Sequence, residues 1–100
     1  MAKVSVGDFE WDTEKAARNW RKHLISFAEA ITVFDDPLFV VYYSSDHSIQ
    51  DERYVIIGQS SRSRLLAVAY AERKQRIRII SARRVTAEER RSYEESDEKY

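Results

Sequence analysis

The chain has no cysteine, one proline and two glycines in 100 residues. Without cysteine there is no disulfide framework, no thiolate zinc site and no thiol redox chemistry, a usage that suits a cytosolic protein. Glycine occurs only at positions 7 and 58, so no glycine-rich phosphate loop can be built. So little glycine and proline also argues against long flexible linkers. No apolar run reaches the length of a membrane span, and the N-terminus lacks the apolar stretch of a signal peptide. His23 and His47 are far apart and have no carboxylate at ligand spacing, so no metal motif is present. No nucleophile elbow supports a Ser-His-Asp triad. No segment is both basic and apolar enough to lie on a membrane surface. Metal-free chemistry or plain binding, with no cofactor, is what these absences leave.

Net charge is absent as well, but the balance is uneven along the chain. Residues 53–93 carry eleven Lys or Arg and three Asp or Glu, a net charge of +8. Residues 1–52 carry −5 and residues 94–100 carry −3. Such segregation offers one part of the molecule to phosphates and leaves the rest to repel them.

The length predicts one domain over residues 1–100, with a core over about 9–93 and frayed ends at 1–7 and 98–100. Phe9-Glu10-Trp11 alternates as a short edge strand does. Asp12 can cap a helix that runs to about His23, with Ala16, Ala17, Trp20 and Leu24 as its apolar stripe. Ser26-Phe27-Ala28-Glu29 has the form of a capping box and predicts a second helix through Phe34, which Asp35-Asp36-Pro37 ends. Trp11, Trp20, Phe27 and Phe34 read as core. Strands are expected over Leu38–Tyr43, Arg53–Gln59, Leu65–Glu72 and Gln75–Ser81, joined by short antiparallel connections. Thr86-Ala87-Glu88-Glu89 is a second capping box, opening a last helix from Ala87 to about Asp97. The expected fold is α+β: a small antiparallel sheet of three to four strands, with two N-terminal helices and one C-terminal helix packed on it.

Several residues carry candidate chemistry. His23 ends a helix and reads either as a general acid or base or as a terminal residue favoured by the helix dipole. His47 lies in a polar loop. Strict alternation places Arg76, Arg78 and Ile80 on one face of their strand and Ile77, Ile79 and Ser81 on the other. Guanidinium is planar and donates in pairs, so an arginine face suits a phosphodiester; it reads equally as a solvated, charge-protected face. Arg83 and Arg84 follow just before a helix, and Arg53 begins a neighbouring strand. Tyr93 reads as an acid, a base-stacking ring or half-buried core. Glu52 reads as a site residue or as an ion-pair partner of Arg53.

The pattern Phe9-x-Trp11-Asp12-x-x-Lys15-Ala16-x-x-Asn19-x-x-Lys22-His23, then Ser26-Phe27-x-x-Ala30 and Val33-Phe34-x-Asp36-Pro37, resembles the N-terminal half of the BrnT toxins. The later segments Glu52-Arg53, Gly58-x-Ser60, Val68-x-Tyr70, Arg78-Ile79-Ile80-Ser81-Ala82-Arg83 and Thr86-x-x-Glu89-Arg90-x-x-Tyr93 resemble it too. The resemblance implies a RelE-like fold and a toxin of a type II toxin–antitoxin pair that cleaves RNA and halts translation. It implies a BrnA-type antitoxin as partner, and contact with DNA only through that antitoxin. For metal-free cleavage, His23 is the candidate base or acid, with Glu52 and Tyr93 as partners, and Arg53, Arg78 and Arg83 are candidates for stabilising the phosphate. A non-catalytic RNA-binding module and a protein-interaction module remain as alternatives. The family carries glycine after its Lys-His pair where this chain has Leu24; a glycine there would allow a left-handed helix cap.

Overall fold

A computed structural model describes residues 2–44 and 52–98, and the side chains among them to residue 96. His47 lies outside these residues. The described residues form six strands and three α-helices: β1 (Lys3–Val6), β2 (Phe9–Asp12), α1 (Thr13–His23), α2 (Phe27–Ala30), β3 (Val40–Tyr43), β4 (Glu52–Gln59), β5 (Leu65–Arg73), β6 (Arg76–Arg84) and α3 (Ala87–Glu98). A 3₁₀ segment, Ile31–Asp35, follows α2. The strands make one sheet in the order β1-β2-β6-β5-β4-β3.

This sheet is larger than the three to four antiparallel strands expected. Residues 3–6 show no readable pattern, yet they pair with β2 in a hairpin whose turn uses Gly7 at φ 56°. They form an edge strand of the sheet. The β2 strand lies between β1 and β6 instead of at an edge, and it meets β6 in parallel, at Phe9–Ile77 and Glu10–Arg78. Most of the chain lies between β2 and β6, so no hairpin forces them antiparallel.

The helices begin where their caps predict. Asp12 accepts from the N–H of Glu14 at 3.2 Å, and Ser26 Oγ accepts from the N–H of Glu29 at 3.0 Å. At α3 the capping box closes in both directions: Thr86 Oγ1 accepts from Glu89 N–H, and Glu89 Oε1 accepts from Thr86 N–H. The predicted second helix instead divides into one α turn and the 3₁₀ segment. Gly58 of β4 packs against that segment so closely that a Cβ there would lie 2.9 Å from Val33 Cγ1.

The core fills the space between one face of the sheet and α1, α2 and the 3₁₀ segment. Ile25, Phe27, Ala30 and Val33 meet Ile56, Leu66, Val68, Tyr70, Ile79 and Ala82 there. An aromatic ladder crosses the same face from Tyr43 through Tyr54, Tyr70 and Phe34 to Phe9, with successive centroids 5.0–5.6 Å apart. Such edge and offset contacts add to the area each ring buries.

The expected apolar stripe of α1 is not what that helix buries. Trp20 is 48% exposed and Leu24 60%, whereas Asn19 is only 6% exposed. Pairing with β2 stops at Arg78, and beyond it Asn19 takes the place of a neighbouring strand. Its carboxamide donates to Ala82 O at 2.9 Å and to Ile25 O at 3.0 Å, and accepts from Ala82 N–H at 3.0 Å. Satisfying those buried backbone groups fixes the rotation of the helix and leaves Trp20 outside.

Candidate functional site

Register decides which arginines share a face. Ala71 of β5 is paired with Arg53 on one side and Arg78 on the other, and Ala67 is paired with Arg83. Ala67 and Ala71 are four residues apart, so all three arginines lie on the side of the sheet away from α1 and α2. Uninterrupted alternation would put Arg83, five residues beyond Arg78, on the opposite face. A bulge prevents this: Ala69 pairs with Ser81 while Tyr70 pairs with Ile79, leaving Ile80 as the extra residue. Ser81 and Arg83 thereby join Arg78, and β6 continues to Arg84 instead of ending at Ser81.

Carboxylates hold two of these guanidinium groups. Glu10 is 4% exposed and lies on the same face. It accepts from Arg76 Nε at 2.9 Å and from Arg78 Nε and Nη2 at 3.1 and 3.0 Å, with Lys3 Nζ at 3.5 Å. Burial pushes the Glu10 carboxyl up, but the hydrogen bonds from Arg78 and Arg76 outweigh it and the group titrates below its usual range. Three cations around one carboxylate leave the cluster positive. Arg53 differs: its Nε is buried and has no hydrogen-bond partner. A buried donor left without a partner is costly.

Helix α3 lies over this same face at the β3 side. Glu89 takes Arg83 in a bidentate pair, Nη1 at 2.8 Å and Nη2 at 2.9 Å, and also accepts from Tyr42 Oη at 3.0 Å. The Arg83 bonds hold the Glu89 carboxyl at about 2, far below its ordinary 4.5. The Arg83 guanidinium is raised in turn, chiefly by Glu89. One helical turn on, Tyr93 Oη donates to Asp36 Oδ2 at 2.7 Å.

The remaining sequence candidates are distributed as follows. His23 closes α1 and, with Ser81 and Ile80, lines a cleft of about 330 Å³ at the open edge of β6. It therefore reaches the strand between Arg78 and Arg83 from the side. Tyr93 borders a separate opening with Arg64, Arg84 and Arg90. Glu52 neither pairs with Arg53 nor shares its face, because adjacent strand residues point to opposite sides. Its carboxylate accepts from Tyr54 Oη at 2.6 Å on the helix-covered face, and that bond is the main reason the Tyr54 hydroxyl is pushed up to about 12.

Sequence reasoning missed Glu10, and it read Glu89 as a capping residue alone. The alternation Phe9-Glu10-Trp11 does turn Glu10 away from the core, which was the available signal. Nothing in the sequence tells that β2 lies beside Arg78. The left-handed cap expected of a glycine is formed by Leu24 at φ 58° and ψ 37°, its N–H donating to Trp20 O at 2.9 Å. His23 thus keeps a helix-terminal position despite the missing glycine. Among the described residues, no three His, Asp or Glu side chains gather at metal-binding distance, and no helix is long and apolar enough to cross a membrane.

Residues 11–89 match the family model described as the ribonuclease toxin, BrnT, of type II toxin-antitoxin system. The fold is similar to that of the Brucella abortus ribonuclease toxin BrnT, known from a 1.1 Å crystal structure, with a TM-score of 0.58 and 22% sequence identity. That likeness covers 76% of this chain and 92% of the Brucella chain. No curated protein matches the sequence. The chain belongs to the BrnT family of ribonuclease toxins.

Proposed function

We propose that this BrnT-family chain is a metal-independent endoribonuclease whose cleavage of RNA halts translation, and that a BrnA-type antitoxin neutralises it in the cytoplasm. The observation that carries the reading is the placement of Arg53, Arg78 and Arg83 on one face of the sheet, in a chain whose family is defined by ribonuclease toxins.

In the proposed reaction the substrate's 2′-hydroxyl attacks the adjacent phosphorus. The P–O5′ bond breaks, giving a 2′,3′-cyclic phosphate and a 5′-hydroxyl. One group must take the 2′ proton and one must protonate the leaving oxygen. His23 is the candidate for one of these roles, approaching over the β6 edge beside Ser81. Arg78, oriented by Glu10, and Arg53, on the same face, are the candidates for receiving the phosphoryl oxygens. Arg83 would act from the far end of the same strand. Fixed donors of this kind stabilise charge as it develops and cost little reorganisation. Tyr93, through Asp36, serves to hold α3, and Glu52 is left out of the centre.

An arginine face also suits an antitoxin that presents acidic and apolar residues, which would inhibit by covering it. DNA would be reached only through that partner.

A second reading has a specific basis. Arg78 and Arg83 already have carboxylate partners, so the face could bind RNA without cutting it. A labelled RNA incubated with purified protein and chelator separates the two, with Arg78→Ala as the control for trace host ribonuclease. Cleavage by the wild type alone supports the nuclease; a mobility shift without product supports the binder.

A further inference from the structure

A basic surface without acidic partners lies outside the arginine face, on the flank of α1 beside the open edge of β6. Lys15, Arg18 and Lys22 follow the spacing i, i+3, i+7 and so share one side of the helix. All three are exposed. No carboxylate pairs with any of them among the described residues, whereas Arg64, Arg76, Arg78 and Arg83 each have one. Asp12, at the start of the same helix, directs its carboxylate to the Glu14 N–H instead.

Asn19 sits between these cations and is bonded to both backbone groups of Ala82. Its anchorage fixes the basic flank against β6, so the cleft between them is a rigid feature and not a chance of side-chain position. Lys15, Arg18, Lys22 and His23 line it, with Ser81 at its floor. Lys15 also lines the neighbouring opening, of about 220 Å³, which contains Arg78 and Lys3. The two openings share Lys15 as a lining residue, one holding Arg78 and the other His23.

We propose that this flank is a phosphate-binding track for single-stranded RNA, with Lys15, Arg18 and Lys22 contacting successive backbone phosphates and delivering the strand to His23. The track rests on the ribonuclease reading above and adds the direction in which the substrate lies. From Lys15 to Lys22 is about 10 Å along the helix axis. A row of that length fits a polyanion better than a lone ion. Exposed lysine and arginine heads on a fixed helix give backbone contact without sequence preference.

The test compares the full-length wild type with the triple variant Lys15→Gln/Arg18→Gln/Lys22→Gln, confirmed folded by circular dichroism. The probe is a short fluorescein-labelled single-stranded RNA of mixed sequence, titrated at several salt concentrations and also used as cleavage substrate. Each lost phosphate contact reduces the slope of log affinity against log salt by about 0.7, so three contacts reduce it by about 2. Affinity at low salt should fall about ten- to a hundredfold, and most of the loss in kcat/KM should appear in KM. An unchanged slope and KM, with the wild type still cutting RNA, would overturn the track and leave the ribonuclease standing. Wild-type protein that neither binds nor cuts the RNA would overturn both. A triple variant that keeps its RNA affinity but no longer holds the co-expressed antitoxin would reassign the flank to a protein partner and overturn the track.

Discussion

Arg78 and Arg83 lie on the same face of β6 although they are five residues apart, because the bulge at Ile80 shifts the alternation by one. Each is held by a carboxylate from a different element, Arg78 by Glu10 of β2 and Arg83 by Glu89 of α3. Arg78→Ala and Arg83→Ala should each reduce RNA cleavage by about 10²–10³ and abolish growth inhibition, with unchanged circular dichroism. Growth inhibition retained by both variants at equal expression would remove these arginines from the centre.

Leu24 adopts a conformation that costs a branched residue about 1–2 kcal/mol relative to the right-handed region. Its side chain is 60% exposed, so it recovers little of that by burial. Leu24→Gly relieves the strain and loses some unfolded-state entropy advantage. The expected net is a gain of about 0.5–1 kcal/mol in urea unfolding. A loss of stability would mean that the exposed leucine packs better than its surface area suggests.

Glu89 ties α3 to the sheet through Arg83 and Tyr42, and its folded carboxyl titrates at about 2 against an ordinary 4.5. A depressed folded value means that the group stabilises the fold fully above about pH 4.5, and that this contribution disappears as pH falls toward about 2. Thermal melts of Glu89→Gln should therefore fall less steeply than wild type across that window, from a lower starting point at neutral pH. Parallel curves would show that another carboxylate governs acid unfolding.

Asn19 binds α1 to both backbone groups of Ala82 on β6. Asn19→Leu would leave the Ala82 N–H and two carbonyls without partners, at a cost of about 2–3 kcal/mol. Hydrogen exchange at Ala82 should accelerate by more than at Ile79, which lies before the bulge. Equal protection at the two amides would argue against Asn19 as the substitute strand.

Much of the secondary structure was legible because its causes are local. Asp12, Ser26 and Thr86 start helices through their own side chains, and Pro37 ends a segment by its own ring. The antiparallel order of β3 to β6 follows from connections too short for any other arrangement. The second helix was read as longer than it is, because its last residues are tightened into a 3₁₀ segment against Gly58, a neighbour distant in sequence.

The burial of Asn19 in place of Trp20 was not legible, nor was the position of Glu10 beside Arg76 and Arg78. Both depend on where β2 stops pairing with β6, which no local pattern encodes. Glu52 was read either as a partner of His23 or as an ion-pair partner of Arg53; the strand turns adjacent side chains to opposite faces, so it does not share the face of Arg53.

The sequence by itself determined the supply of arginines after residue 53, the helix starts, the absence of cysteine chemistry and the family pattern. Composition and nearest-neighbour chemistry are sufficient for these. Only the tertiary structure decided that Arg53, Arg78 and Arg83 share a face, that Glu10 and Glu89 hold two of them, and that the cations of α1 remain unpaired beside β6. Convergence of that kind depends on register, and a single extra residue in a strand reverses it.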